Sequence, residues 1–194
     1  MRVFPGVDKK SLTPDSYIFL DTNFLKALFD EEELLTSLPE YFNGATFIIH
    51  PLVRFEFLRD IFIPEQKEIK EKFISKEAVF CPEETNNEIV RRTENRAMIL
   101  SSIYRHQKDR HKNDPKPSYV DLSLASRLGD NPNKYLLLTQ NKKDFPICIF
   151  DVVGTILLEK DSGEAVTYFL LKFNVQKFEN CTEELKKLSK DLTA

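Results

Sequence analysis

The stretch Tyr17-Ile18-Phe19-Leu20-Asp21-Thr22-Asn23-Phe24-Leu25 decides how this chain reads. Tyr17 to Leu20 is a short, bounded apolar run, the pattern of a strand buried on both faces. The run stops on Asp21. Phe24, Leu25 and Leu28 then recur at helical spacing, so the chain passes from a strand straight into a helix over 22–29. An acid at that junction stands where open α/β sheets bind ligands, outside the carboxyl ends of their strands.

Three more acids stand at element ends. Glu56 lies in Pro51-Leu52-Val53-Arg54-Phe55-Glu56-Phe57-Leu58, Asp121 in Tyr119-Val120-Asp121-Leu122-Ser123-Leu124-Ala125, and Asp144 in Leu138-Thr139-Gln140-Asn141-Lys142-Lys143-Asp144-Phe145. Around them, short apolar runs at 45–49, 134–139 and 147–150 read as strands. Helices are expected from Pro51 to about 62, from Pro64 to about 76, over 83–111 and over 118–128. In the longest, Ile89, Thr93, Ala97, Leu100 and Tyr104 share one face. The Asp30-Glu31-Glu32-Glu33 run suits the solvated start of another helix, where the dipole favours negative charge. Past 153, the runs 155–159 and 165–172 flank a glycine-containing turn and read as a β-hairpin, followed by a terminal helix over 182–192. The expectation is an α/β domain with a central, mostly parallel sheet flanked by helices, plus the C-terminal hairpin and helix. Residues 1–16 read as a polar arm, 17–152 as the domain proper, and 153–194 as its extension.

Composition removes several functions. With 5 Gly in 194 residues, the chain has no phosphate-binding glycine loop, and neither a Walker motif nor a dinucleotide fingerprint occurs. Cys81, Cys148 and Cys181 are scattered without a Cys-x-x-Cys pair, which points to a reducing compartment rather than a disulfide or zinc framework. No run reaches the roughly 18 apolar residues of a membrane span, and residues 1–10 lack the apolar core of a signal peptide, so no membrane association and a cytoplasmic location are expected. The net charge of -3 argues weakly against nucleic acid, but an acidic metal site lowers the total by itself.

Each acid also has a structural explanation. Asp21 could cap a helix, and Ser118 with Asp121 makes a capping-box pattern. Glu56 could be a surface residue, and Asp144 could close a turn. Together they make a set of converging oxygen ligands without His or Cys. That set suits a hard ion, Mg2+ or Mn2+, able to activate water against a phosphodiester.

The order and flanks of the four motifs, over roughly 17–150, resemble the PIN-domain ribonucleases. In that pattern an Asp closes the first strand with a small polar residue two positions on, as Asp21 and Asn23 do here. A helical Glu follows, matched by Glu56, and then a D-x-x-[IL]-A helix, matched by Asp121 to Ala125. The last motif is a strand-ending Thr with an acidic or amide residue two on and another acid before Phe, matched by Thr139, Asn141, Asp144 and Phe145. The resemblance implies a PIN-like fold and a metal-dependent endoribonuclease. Asp21, Glu56, Asp121 and Asp144 would be its catalytic metal ligands, with Asn23, Thr139 and Asn141 orienting carboxylates and water. Many members carry Asp where this chain has Asn141, so the fourth station rests on Asp144 or on Asn141 acting through water. A haloacid-dehalogenase-type phosphatase would need a second Asp where Asn23 stands.

The RNA partner is expected along Arg91, Arg92, Arg96, Arg105, Lys108, Arg110, Lys112 and Lys116. Against Glu94, Asp109 and Asp114 these give 8 − 3 = +5. The arm and hairpin could make a homodimer, dock an antitoxin-like inhibitor or extend the RNA surface. The rival reading is a catalytically inactive PIN-like scaffold that binds RNA or protein.

Overall fold

The computed structural model describes residues 2–7, 12–59, 61–75, 79–80, 87–106 and 116–191. Among these, seven strands form one mixed sheet with helices packed against it, and the chain is α/β. The strands are β1 (Arg2–Val7), β2 (Tyr17–Leu20), β3 (Thr46–Ile48), β4 (Val79–Phe80), β5 (Tyr135–Thr139), β6 (Phe150–Glu159) and β7 (Ala165–Phe173). The helices are α1 (Thr22–Asp30), α2 (Glu32–Tyr41), α3 (Pro51–Leu58), α4 (Pro64–Ile74), α5 (Asn87–His106), α6 (Tyr119–Leu128) and α7 (Val175–Asp191). Strand order is β1-β6-β7-β5-β2-β3-β4.

The expected parallel sheet occupies one half only. β2 lies parallel to both β3 and β5, and β3 parallel to β4, whereas β5–β7, β6–β7 and β1–β6 pair antiparallel. The hairpin is therefore no appendage: β7 runs beside β5, with Leu137 opposite Leu171 and Thr139 opposite Phe169. Leu170, Leu171 and Phe173 are all buried, so β7 is an interior strand. Its continuation on one sheet was hidden because the 147–150 and 155–159 runs look separate. In fact 147–149 is a turn, and one strand covers Phe150–Glu159, with a register irregularity between Val152 and Gly154.

Residues 2–7 of the expected arm are the edge strand β1, paired with β6 from Arg2 opposite Glu159 to Val7 opposite Gly154. Pro5 masked it, since proline cannot donate to a ladder; on an edge it is tolerated. α7 begins earlier than expected because Asn174 accepts from the Lys177 N–H at 3.1 Å and so supplies the helix start. The residues read as flanking α5, 83–86 and 107–111, lie outside the described ones.

Local chemistry accounts for the helix starts. Proline occupies the first helical position of both α3 and α4. Ser118 and Asp121 form a full capping box on α6. The core they enclose is aromatic: Phe150 meets Phe145 and Phe173 edge-on at 5.7 and 5.6 Å, and Phe29 meets Phe57 and Phe73. No helix among the described residues is long and apolar enough to cross a membrane. Cys148 and Cys181 are not joined by a disulfide, the Cys181 thiol donates to the Cys148 carbonyl at 3.5 Å, and Cys81 lies outside the described residues.

Gly154 lets β1 approach β6: a Cβ there would stand 3.1 Å from the Val7 Cα. Gly154→Val is expected to lower stability by about 1–3 kcal/mol in urea unfolding and to speed amide exchange in β1. Unchanged exchange in residues 2–7 would contradict this close packing.

Candidate active site

Parallel pairing brings β2 and β5 level, with Leu20 opposite Leu138, and the Asp21 N–H continues the ladder onto the Leu138 carbonyl at 3.1 Å. Asp21 and Thr139 thus meet at the carboxyl edge of the sheet. One Asp21 oxygen accepts from the Thr22 N–H at 2.7 Å, capping α1. The other accepts from the Thr139 hydroxyl and from the Asn23 amide, both at 2.6 Å. Asn23 in turn accepts from the Gln140 N–H at 3.0 Å, and Thr139 Oγ1 accepts from the Asn141 N–H at 3.0 Å. Asn23 and Thr139 therefore tie the ends of two neighbouring strands to one carboxylate. Asp21 is a cap and more than a cap.

Glu56 is brought in from α3. Its carboxylate accepts from the Thr22 hydroxyl at 2.6 Å and lies 3.8 Å from the Arg59 guanidinium. Asp121 comes from the first turn of α6. Its oxygen accepts from the Ser118 N–H at 2.8 Å, while its own N–H donates to the Ser118 hydroxyl at 3.1 Å. The capping explanation of Asp121 and its place among the acids hold at once, because one carboxylate oxygen suffices for the cap.

The acids sense one another. Burial raises the Asp21 pKa to about 6, the bonds from Thr139, Thr22 and Asn23 oppose the rise, and the charge of Asp121 adds to it. The Asp121 pKa is raised by burial too, against its Ser118 bonds, with a further contribution from Glu56. Asp21, Asp121 and Glu56, far apart in sequence, thus form a chain of like charges. Asp144 is also buried, and it accepts from the Asn141 side-chain amide, so the two candidates for the fourth station are bonded to each other.

No three His, Cys, Asp or Glu side chains among the described residues stand together as a ready-made metal cage. The donor chemistry nonetheless fits a hard divalent ion: the acids offer oxygen alone, and their repulsion is what a cation relieves.

The expected RNA-binding segment divides. Arg92 and Arg96 both grip Asp130, at 2.9 and 3.0 Å, alongside Arg127 at 2.6 Å. Asp130 lies past the far end of α6 from Asp121, nine residues on and roughly 13 Å along a helix axis. Those arginines brace α5 against α6, an ion-pair network invisible in a local window. Arg91, Arg105 and Lys116 are exposed, and Lys108, Arg110 and Lys112 lie outside the described residues. Other residues at the site escaped the sequence reading. Thr22 orients Glu56 across 34 positions, which no spacing reveals. His50 is buried beyond the end of β3, where its Nδ1 accepts from the Leu52 N–H at 3.2 Å as the cap of α3. Lys142, half-buried, and Lys143, exposed, directly follow Asn141 and are two further cations visible in the sequence beside that station.

Comparison with known protein families, curated proteins and solved structures gives no match for this chain.

The shift of Asp21 has a sign that titration reads. As pH rises from about 4 to about 6, the unfolded chain releases the Asp21 proton before the folded one does. The metal-free protein then loses stability, on the order of 3 kcal/mol from this group. In Asp121→Asn the Asp21 carboxyl resonance should titrate lower and this loss should shrink, with the Ser118 cap retained by the amide oxygen. An Asp21 midpoint identical in the two proteins would show that the acids do not interact.

Proposed function

We propose that the chain is a PIN-like, divalent-metal-dependent endoribonuclease that hydrolyses phosphodiester bonds of RNA. The observation that carries this reading is the gathering of Asp21 with Thr139, Asn23 and the Thr22–Glu56 pair at the carboxyl edge of parallel strands, where burial and the charge of Asp121 raise the Asp21 pKa and burial and the charge of Glu56 raise that of Asp121. Like charges gathered from three separate elements cost stability unless a bound cation repays it.

In this reading Asp21, Glu56 and Asp121 hold Mg2+ or Mn2+ directly or through water, and Asp144 or Asn141 completes the set. Such an ion supplies an activated water and charge stabilisation at the phosphate. The chain's own contribution is orientation. Thr139 and Asn23 fix the Asp21 carboxylate, Thr22 fixes Glu56, and Ser118 fixes Asp121. The resemblance in four motifs supports the family assignment, and the four parallel strands β5, β2, β3 and β4 are compatible with it.

A second reading, an inactive PIN-like scaffold for RNA or protein, is favoured by one observation: Asn141 stands where a further Asp would bring charge, and its side-chain amide is bound to Asp144. Cleavage of a fluorescent single-stranded RNA separates the two. The nuclease reading expects cutting that requires Mg2+ or Mn2+ and vanishes in Asp21→Asn. It also expects Thr139→Val to retain the fold but lose about 10- to 100-fold in rate, because the hydroxyl that orients Asp21 is gone. Binding without cutting at any divalent-ion concentration would establish the scaffold.

A further inference from the structure

Lys142 is held beside the acids from two directions. Along the chain it follows Asn141, whose N–H donates to the Thr139 hydroxyl at 3.0 Å. Across the sheet its ammonium lies over the Phe169 ring, 5.3 Å from the centroid. Phe169 on β7 stands directly opposite Thr139 on β5. Residues paired in an antiparallel ladder point to the same face, with Cβ atoms about 4.5–5.5 Å apart. The alternation along β7 agrees, since Tyr168 is buried against Phe24 of α1 on the other face while Phe169 is half-buried. The Thr139 hydroxyl in turn donates to Asp21 at 2.6 Å. Carboxylate, hydroxyl, ring and ammonium therefore follow one another on one side of the sheet.

That ammonium has no carboxylate of its own. Lys134, Lys160 and Lys177 pair with Asp15, Glu164 and Asp151 at 3.9, 2.9 and 2.7 Å, and no such pair engages Lys142 among the described residues. A lysine on a flexible stem close to buried acids would close onto one of them and neutralise it. The negative face of the Phe169 ring offers the cation another seat, so its charge stays available. Beyond Phe169 the same row of paired residues runs through half-buried Thr155 to exposed Gly6 on the edge strand, and this side of the sheet stays open to a ligand. A phosphodiester brought against Asp21 carries negative charge toward negative charge, and a fixed cation next to it offsets that repulsion.

We propose that Lys142 is a phosphate-binding residue of this site. Its ammonium takes a non-bridging oxygen of the RNA backbone beside Asp21 and Thr139, and Phe169 is the positioning residue that holds it there. The choice of RNA as the source of the phosphate rests on the ribonuclease reading. The contact is to the backbone, so it carries no base preference.

The test uses the full chain carrying Asp21→Asn, so that bound RNA survives. Affinity for a single-stranded oligouridylate of about 12 nucleotides is read by fluorescence anisotropy over a salt series. Lys142→Met keeps an apolar stem on the ring without the charge. It should weaken binding about 5- to 20-fold at low salt and lower the slope of log affinity against log salt by about 0.7, at unchanged melting temperature. Lys142→Arg should restore most of both. When a neutral methylphosphonate replaces each phosphate of the strand in turn, one position should make Lys142→Met and its parent bind alike. Phe169→Leu should weaken binding in the parent and add nothing in Lys142→Met; an equal loss in both overturns the role given to the ring. An unchanged salt slope in Lys142→Met overturns the phosphate contact, and so does a loss that no single methylphosphonate abolishes. Either result, beside metal-dependent cutting by the unsubstituted chain, leaves the ribonuclease reading standing. A parent that binds no strand overturns both.

Discussion

The Asp21 carboxylate is the point on which the rest of the site depends. It accepts from the residue that opens α1, from the last residue of β5 and from Asn23, so it fastens the ends of two parallel strands and a helix together. A carboxylate buried to 5% exposure is costly unless hydrogen bonds compensate, and here three donors do so in part. The residual cost appears as the raised pKa. Were Asp21 only a cap, an uncharged Ser or Thr would serve the helix at less expense.

The balance of charge around Asp21 differs from that around the chain's ion-paired acids. Asp130 shows the structural case: three arginines surround it, and the network braces α5 against α6. Asp151 shows the same on a smaller scale, with Lys177 at 2.7 Å holding its pKa down. Asp21 and Asp121 shift upward instead, and the neighbouring charges that contribute are other acids. Two kinds of carboxylate thus coexist in one domain, and the second kind collects at the carboxyl edge of parallel strands, where chemistry is built in such sheets.

Much of this was legible in the sequence because the signals are local. The Tyr17–Leu20 run followed by Asp21 fixed a central strand and its junction, Pro51 and Pro64 marked two helix starts, and Ser118 with Asp121 marked a third. What escaped was non-local or masked. β1 was hidden by Pro5, and the merging of β6 into one strand by the irregularity near Gly154. That β7 joins β5 depends on pairing across some thirty residues, which periodicity does not encode. Arg92 and Arg96 counted as free cations until Asp130 came beside them, and Thr22 met Glu56 only in three dimensions.

In the proposed function, Asp21, Glu56 and Asp121 act as one electrostatic unit that takes up a divalent ion. Titrating metal-free protein with Mn2+ while following the side-chain carboxyl resonances by NMR tests it most directly. The signals of these three residues are expected to broaden together at substoichiometric Mn2+, while those of exposed Glu65 and Glu68 on α4 stay sharp. Broadening that spares Asp21 and Asp121, or that spreads evenly over the surface acids, would contradict it.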